Sequence, residues 1–315
     1  MSAPILAVSY HYVRPVQSPH PGIHPVSPES FRRQIDLIQR HHPILSPHEF
    51  TAQFDQVDNR PPSALLTFDD GLRDHLHVAS ILENLGLRGA FFVCSRPALE
   101  RKALPVHKVH WLRSNTPPSE FLEHFRSLLP SEWNRQIESP EHELESAASE
   151  TYQFDEPAYQ VLKYLINFVL PYSCVDEVTS QMLTSLGRSE ESFCLDTYIT
   201  PEEMKDLHDR GHLVGCHGHL HKPFSRFVDQ DLDDDINTNI RFLTETLGSK
   251  PKWLAYPYGS KWSLPDDTQR FFSSAGLEYA FTYERGWIQQ HDPRHLLKRI
   301  DCNELSSFLG LHSIN

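Results

Sequence analysis

Ala64-Leu65-Leu66-Thr67-Phe68-Asp69-Asp70-Gly71 decides how the rest of the chain is read. A short apolar run with β-branched and aromatic character predicts a buried strand. It ends in two adjacent carboxylates, followed by a glycine that lets the chain turn sharply. Neighbouring carboxylates repel each other and lose solvation, so they belong where a cation or a shared proton offsets the repulsion. The plain alternative is an exposed Asp-Asp-Gly turn, since both residue types are common turn formers.

A second stretch, Gly211 to Pro223, repeats the pattern: a short strand, Leu213 to Cys216, runs into a polar turn carrying His217, His219 and His221. Neutral imidazoles beside a carboxylate are the usual ligands of zinc and its first-row neighbours. Strand alternation turns Cys216 away from His217, which makes it a core residue rather than a ligand.

Together, Thr67-Phe68-Asp69-Asp70-Gly71 and His217-x-x-x-His221 resemble the first two motifs of the polysaccharide deacetylase family, the NodB-type carbohydrate esterases. The resemblance implies that Asp69 is the catalytic base. It also implies that Asp70, His217 and His221 hold a divalent metal, most often Zn2+, with Co2+, Ni2+ or Mn2+ as alternatives. Where the family usually has Ser or Thr after the first histidine, this chain has Gly218. His219 is a competing imidazole, expected to face solvent or to lie outside the ligand set.

A third motif, normally Arg-x-Pro-Tyr, corresponds to Ala255-Tyr256-Pro257-Tyr258. The orienting arginine is therefore missing, although subgroups resembling poly-N-acetylglucosamine deacetylases also read Ala-Tyr-Pro-Tyr-Gly. Arg299 is expected either to replace it from a neighbouring strand end or to form a surface ion pair. Pro257 and Tyr258 are expected to line the substrate site, with a backbone N–H near Tyr258 on the developing oxyanion, and His11 to join them. The family's general acid is a late Leu-x-His; here Leu309-Gly310-Leu311-His312 reads as a terminal helix. His11, His107, His110 and His219 are then the candidates.

The chain has 315 residues, 39% hydrophobic and 23% charged, enough apolar mass for a full core. Its net charge of -13 argues against nucleic acid or an anionic membrane as the main partner. The N-terminus lacks a basic region and a long apolar run, and no stretch reaches the ~18 apolar residues of a membrane span. Five cysteines (Cys94, Cys174, Cys194, Cys216 and Cys302), odd in number and without Cys-x-x-Cys spacing, fit reduced thiols and a cytoplasmic setting.

Strand and helix alternate from the N-terminus to about residue 94. They do so again from Tyr198, where Thr200-Pro201-Glu202-Glu203 forms a capping box. Such alternation predicts parallel strands joined by crossover helices, with Asp69-Asp70, His217-His221 and Tyr256 to Gly259 at strand C-terminal ends, the face where α/β barrels carry their chemistry. Between about 95 and 197 the alternation stops. Helical patterns at Tyr159–Leu170 and Val175–Leu186 predict an inserted helical subdomain, and the Val106 to Trp111 stretch reads as a surface strand or a helix start. The expected fold is one α/β domain spanning 1–315, a distorted (β/α) barrel of the deacetylase type interrupted by that insertion.

The expected function is metal-dependent removal of an N-acetyl group from an amino sugar or glycan precursor. Hydrolysis of a formyl or other linear amide at the same site is one alternative. A non-catalytic carbohydrate-binding barrel is the other. The resemblance implies a glycan substrate and leaves the oligomeric state open.

Overall fold

The computed structural model describes residues 4–15, 20, 22–54, 61–138, 142–152 and 157–310; His312 lies outside them. Every residue of β1 (Ile5–Tyr10) and β3 (Ser63–Phe68) is buried, as expected of parallel strands covered on both faces. With β2 (Ile44–Leu45), β4 (Ala90–Val93), β5 (Leu213–Cys216), β6 (Trp253–Ala255), β7 (Tyr279–Phe281) and β8 (Ile300–Asp301) they form one sheet. Its order is β7-β6-β5-β4-β3-β1-β8, with β2 on the first half of β3. All of these strand pairs are parallel. The fold is a parallel (β/α) half-barrel, in line with the distorted (β/α) barrel expected from the sequence. The outer strands are shorter than their sequence patterns: Glu278 to Tyr283 reads as strand, but the ladder holds only Tyr279–Phe281.

The chain divides into two compact units: Met1–Val16, His24–Glu100 and Leu195–Asn315 form the first, and Gln17–Ile23 with Arg101–Cys194 form the second. In the first unit, register places Ala7 beside Leu65 and Ser9 beside Thr67. Alternate strand residues therefore separate into two cores. Leu6, Val8, Leu66 and Phe68 pack with Phe31 and Ile35 of α1 (Pro28–His41) and with Val78 and Leu82 of a later helix, Asp74–Asn84. Ile5, Ala7, Leu65, Phe92 and Phe281 face the other way and meet Phe50 of α2 (Pro47–Gln53).

Helix α2 starts on a capping box made by Ser46 and Glu49. Its Phe50 ring lies 5.0 Å from Trp253 and 5.3 Å from Tyr279, the first residues of β6 and β7. It therefore plugs the N-terminal ends of the strands, opposite the ends that carry the paired carboxylates. The sheet's outer face is further covered by α3 (Asp74–Asn84), with α4 (Arg96–Glu100) following β4.

The second unit is helical: α5 (Pro105–Asn115), α6 (Pro118–Leu128), α7 (Ser131–Glu138), α8 (His142–Thr151), α9 (Pro157–Tyr164) and α10 (Tyr172–Ser185), leading into α11 (Glu190–Thr197). The Val106 to Trp111 stretch is helix, within α5. After α9 the chain continues as a π-helical turn over Leu165–Val169. At the centre of this unit the fully buried Lys108 ammonium of α5 donates to Asp176 Oδ1 at 2.6 Å, Ser180 Oγ at 2.8 Å and Glu190 Oε1 at 3.0 Å.

The first unit is completed by α12 (Pro201–Asp209), α13 (Asp229–Leu247), α14 (Thr268–Ala275) and α15 (Leu305–Phe308). The expected capping box at Thr200 and Glu203 opens α12. Among the described residues no helix is long and apolar enough to cross a membrane. All five cysteines are free thiols.

Candidate metal centre and active site

Strand alternation puts Leu65, Thr67 and Asp69 on one face of β3, and the turn that follows needs a left-handed backbone. Asp70 adopts φ 78° and Gly71 φ 64°. Two further non-glycine residues with positive φ, His221 at 52° and Tyr258 at 62°, follow β5 and β6, and Arg101 is the other among the described residues. A non-glycine residue in this region is strained by about 1–3 kcal/mol and persists where its surroundings over-determine it, which is common at functional sites.

The ends of β3 and β5 bring Asp70, His217 and His221 together. Asp70 Oδ1 lies 3.2 Å from His217 Nε2 and 3.1 Å from His221 Nε2. One ligand atom from each residue lies within 4.8 Å of the other two, and all three residues are buried. His217 Nδ1 is 2.7 Å from the carbonyl of Ala255. A carbonyl only accepts, so Nδ1 carries the proton and donates. The Nε2 of the neutral ring then turns a lone pair toward a carboxylate, and a cation or a second proton has to lie between them. Burial works against the imidazolium of His217, and the carboxylates of Asp70 and Asp69 outweigh it. Metal bonds of ~2.0–2.2 Å at tetrahedral angles separate donor atoms by roughly 3.4 Å. The donor set and its spacing therefore fit a divalent metal.

Asp69, beside this cluster, is held by Arg299. Nη1 donates to Oδ1 at 2.8 Å and Nη2 to Oδ2 at 2.7 Å, with both residues almost fully buried. Arg299 also donates to Thr67 Oγ1 at 3.2 Å and to the Thr282 carbonyl at 3.0 Å. The surface ion pair that was the alternative for Arg299 is thus replaced by a buried bidentate one. Burial alone would raise the Asp69 carboxyl; Arg299, His217 and His11 together hold it below the ordinary carboxylate range.

His11 follows β1 on the Ser9 side. Its ring stacks on Tyr283 with centroids 6.0 Å apart, and its Nδ1 is 3.4 Å from the Tyr283 hydroxyl, which donates to Ser9 Oγ at 2.8 Å. The His11 carbonyl accepts from buried His75 at 3.1 Å. Burial pulls the His75 imidazole down to about 4, so it is neutral near pH 7. Tyr258 lies against His221 with ring centroids 5.0 Å apart, and Pro257 beside it is buried. His219 points elsewhere: Nδ1 is 3.0 Å from Ser95 Oγ and Nε2 is 2.9 Å from Glu100 Oε1. His107 and His110 belong to the second unit.

Residues 177–280 match the family model described as polysaccharide deacetylase. The chain resembles the polysaccharide deacetylases in sequence and in fold. His217, His221 and Tyr258 lie inside the matched segment, whereas Asp69 and Asp70 lie outside it. Among solved structures, the Streptococcus pyogenes deacetylase PplD, determined with acetate, superposes with a TM-score of 0.59 at 14% identity, covering 99% of this chain and 100% of its own. IcaB from Ammonifex degensii gives 0.59 at 14% identity, covering 98% and 97%. The deacetylase domain of BpsB from Bordetella bronchiseptica gives 0.53 at 13% identity, covering 95% of each chain. These likenesses show the deacetylase barrel fold. No curated protein matches the sequence.

Sequence reasoning missed Asp235 and Asn239. Both are buried on α13, where the apolar stripe of Leu232, Ile236, Ile240 and Leu243 faces the core. Asp235 accepts from the backbone N–H of His219 at 2.8 Å and of Leu220 at 2.9 Å. Asn239 accepts from the backbone N–H of His217 at 3.1 Å and donates to the Val93 carbonyl at 3.1 Å. The signal was available: two polar residues four apart at inward positions of an amphipathic helix.

Proposed function

We propose that this chain is a metal-dependent hydrolase that removes the N-acetyl group of an amino sugar in a glycan or glycan precursor. The observation that carries the reading is the meeting of Asp70 Oδ1 with two imidazole Nε2 atoms at 3.1 and 3.2 Å, beside a carboxylate clamped by an arginine. A divalent cation, Zn2+ being the best suited to this donor set with Co2+, Ni2+ or Mn2+ as substitutes, would supply there a Lewis acid that acidifies water and polarises an acyl carbonyl.

The residues of the chain supply the rest. Asp69, ionised because Arg299 opposes the effect of its burial, takes a proton from the attacking water. Arg299 occupies one lone-pair direction on each carboxylate oxygen and leaves the others to receive that proton. The water oxygen bonds to the acyl carbon, and the backbone N–H at Tyr258 donates to the oxyanion that forms. His11, supported by Tyr283 and His75, gives a proton to the nitrogen as the C–N bond breaks, releasing acetate and the free amine. In this reading His219 serves the turn rather than the reaction. Free thiols at all five cysteines support a reducing, cytoplasmic setting, and with it a glycan precursor as substrate.

Acetate release from a panel of N-acetylated sugars and oligosaccharides, before and after chelation, tests the proposal. Release that is lost on chelation and restored by Zn2+ is expected. Bound metal without acetate from any member of the panel would contradict it.

A further inference from the structure

We propose that Asp235 and Asn239 are positioning residues for the divalent cation: from one face of α13 they fix the backbone of the His217–His221 turn so that both imidazoles meet Asp70. The inference rests on the metal assignment made above and goes beyond it, because neither residue touches the donor atoms.

The turn needs external support. Gly218 has φ 76° and His221 φ 52°, so within five residues the chain takes the left-handed conformation twice, once with a side chain that disfavours it. The His217 N–H still donates to the Val93 carbonyl, at 3.2 Å; past it the turn leaves the sheet, and each further buried donor must find a partner elsewhere. Asp235 supplies both of its oxygens to successive N–H groups, those of His219 and Leu220, and is itself only 5% exposed. Asn239, one helical turn on and fully buried, bridges the His217 N–H and the Val93 carbonyl. It thereby ties the turn to the end of β4. Buried polar groups that are fully matched fix one geometry, and loss of a single partner leaves an orphan donor.

The same contact accounts for the departure at position 218. A Cβ there would stand 2.9 Å from Asp235 Oδ2. The carboxylate that holds the turn thus occupies the space a larger residue would need, and glycine also accepts the left-handed backbone.

Residues that orient ligands without touching the metal typically change affinity by about 10- to 100-fold when replaced. The test measures Zn2+ affinity of the full chain by competition with a chromophoric chelator, together with the visible spectrum of the Co2+-loaded protein. Asp235→Asn places an amide N–H against a backbone N–H while conserving shape. Asn239→Asp removes the bond to Val93 and is the second variant should the first not fold. Asp231→Asn, exposed on the same helix, is the control. Weakening of Zn2+ binding by about 10- to 100-fold, with a shifted Co2+ spectrum and a wild-type circular dichroism spectrum, is expected for Asp235→Asn and not for the control. Wild-type affinity and spectrum in both variants would overturn the inference, as would a lower melting temperature of the metal-free form with affinity unchanged. A wild-type chain that binds no Zn2+ would overturn the inference and the metal assignment together. A chain that binds Zn2+ without releasing acetate would contradict the deacetylase reading alone, since affinity rather than turnover is measured.

Discussion

Asp69 and Arg299 form the pair on which the proposed chemistry turns. A buried carboxylate next to two buried histidines needs a fixed orientation and a charge partner, and a guanidinium fork provides both. Replacing Asp69 with Asn is expected to lower kcat by about 10²–10⁴-fold, the usual contribution of a general base, while Zn2+ binding persists. Arg299→Met should also lose on the order of 10²-fold, because burial without its counter-charge raises the Asp69 carboxyl and frees its rotation. The pair has a pH signature. The folded pKa of Asp69 lies below its unfolded value, so its contribution to stability is complete above ~4 and fades as pH falls through the folded value. Melting temperatures of wild type and Asp69→Asn measured from pH 7 downward should therefore differ most at neutral pH and converge in acid. A constant difference would count against the ion pair. The sequence left Arg299 between two roles, replacing the missing orienting arginine or forming a surface ion pair: it sits in Leu297-Lys298-Arg299-Ile300, far from Asp69 in sequence, and the closure of β8 onto β1 brings the two together.

At the scale of elements, the turns after β3, β5 and β6 carry the strain and the helices carry the support. Gly218→Ser, which puts a hydroxyl residue where the motif it resembles usually has Ser or Thr, is expected to destabilise the fold by about 1–2 kcal/mol from the left-handed backbone and to weaken metal binding. Chemical denaturation and chelator competition would check the two effects separately. In the helical unit, Lys108 joins α5 to α10 and α11 through Asp176 and Glu190, whose side chains are 18% and 23% exposed. Breaking a fully buried pair destabilises by about 3–5 kcal/mol. Partial solvation of both carboxylates lowers this, and Lys108→Met should lose on the order of 2 kcal/mol in a denaturant melt, near the cost of orphaning a buried group. Helices here were legible where caps and apolar periodicity agree, as in α1 and α12. Helix α2 was missed because it is short and its role, plugging the strand N-termini with Phe50 and Phe54, depends on residues more than 200 positions away.

For the whole molecule, the barrel could be read from the sequence because parallel strands buried on both faces leave continuous apolar runs, and crossover helices announce themselves by caps and periodicity. Which strand ends carry the candidate site followed from the same reading, since Asp-Asp-Gly and the histidine turn both close such runs. The number and packing of helices in the insertion did not follow, because apolar stripes of short helices do not specify their partners. Asp235 and Asn239 escaped for the opposite reason: a rule-breaking residue on an apolar face has meaning only once its neighbour is known. The account stands or falls on the convergence of Asp70, His217 and His221. Metal content of the purified chain by elemental mass spectrometry, compared with that of His217→Ala, tests it most directly. One divalent ion per wild-type chain, absent from the variant, is the expected result. No bound ion in the wild type, or an undiminished ion in the variant, would contradict it.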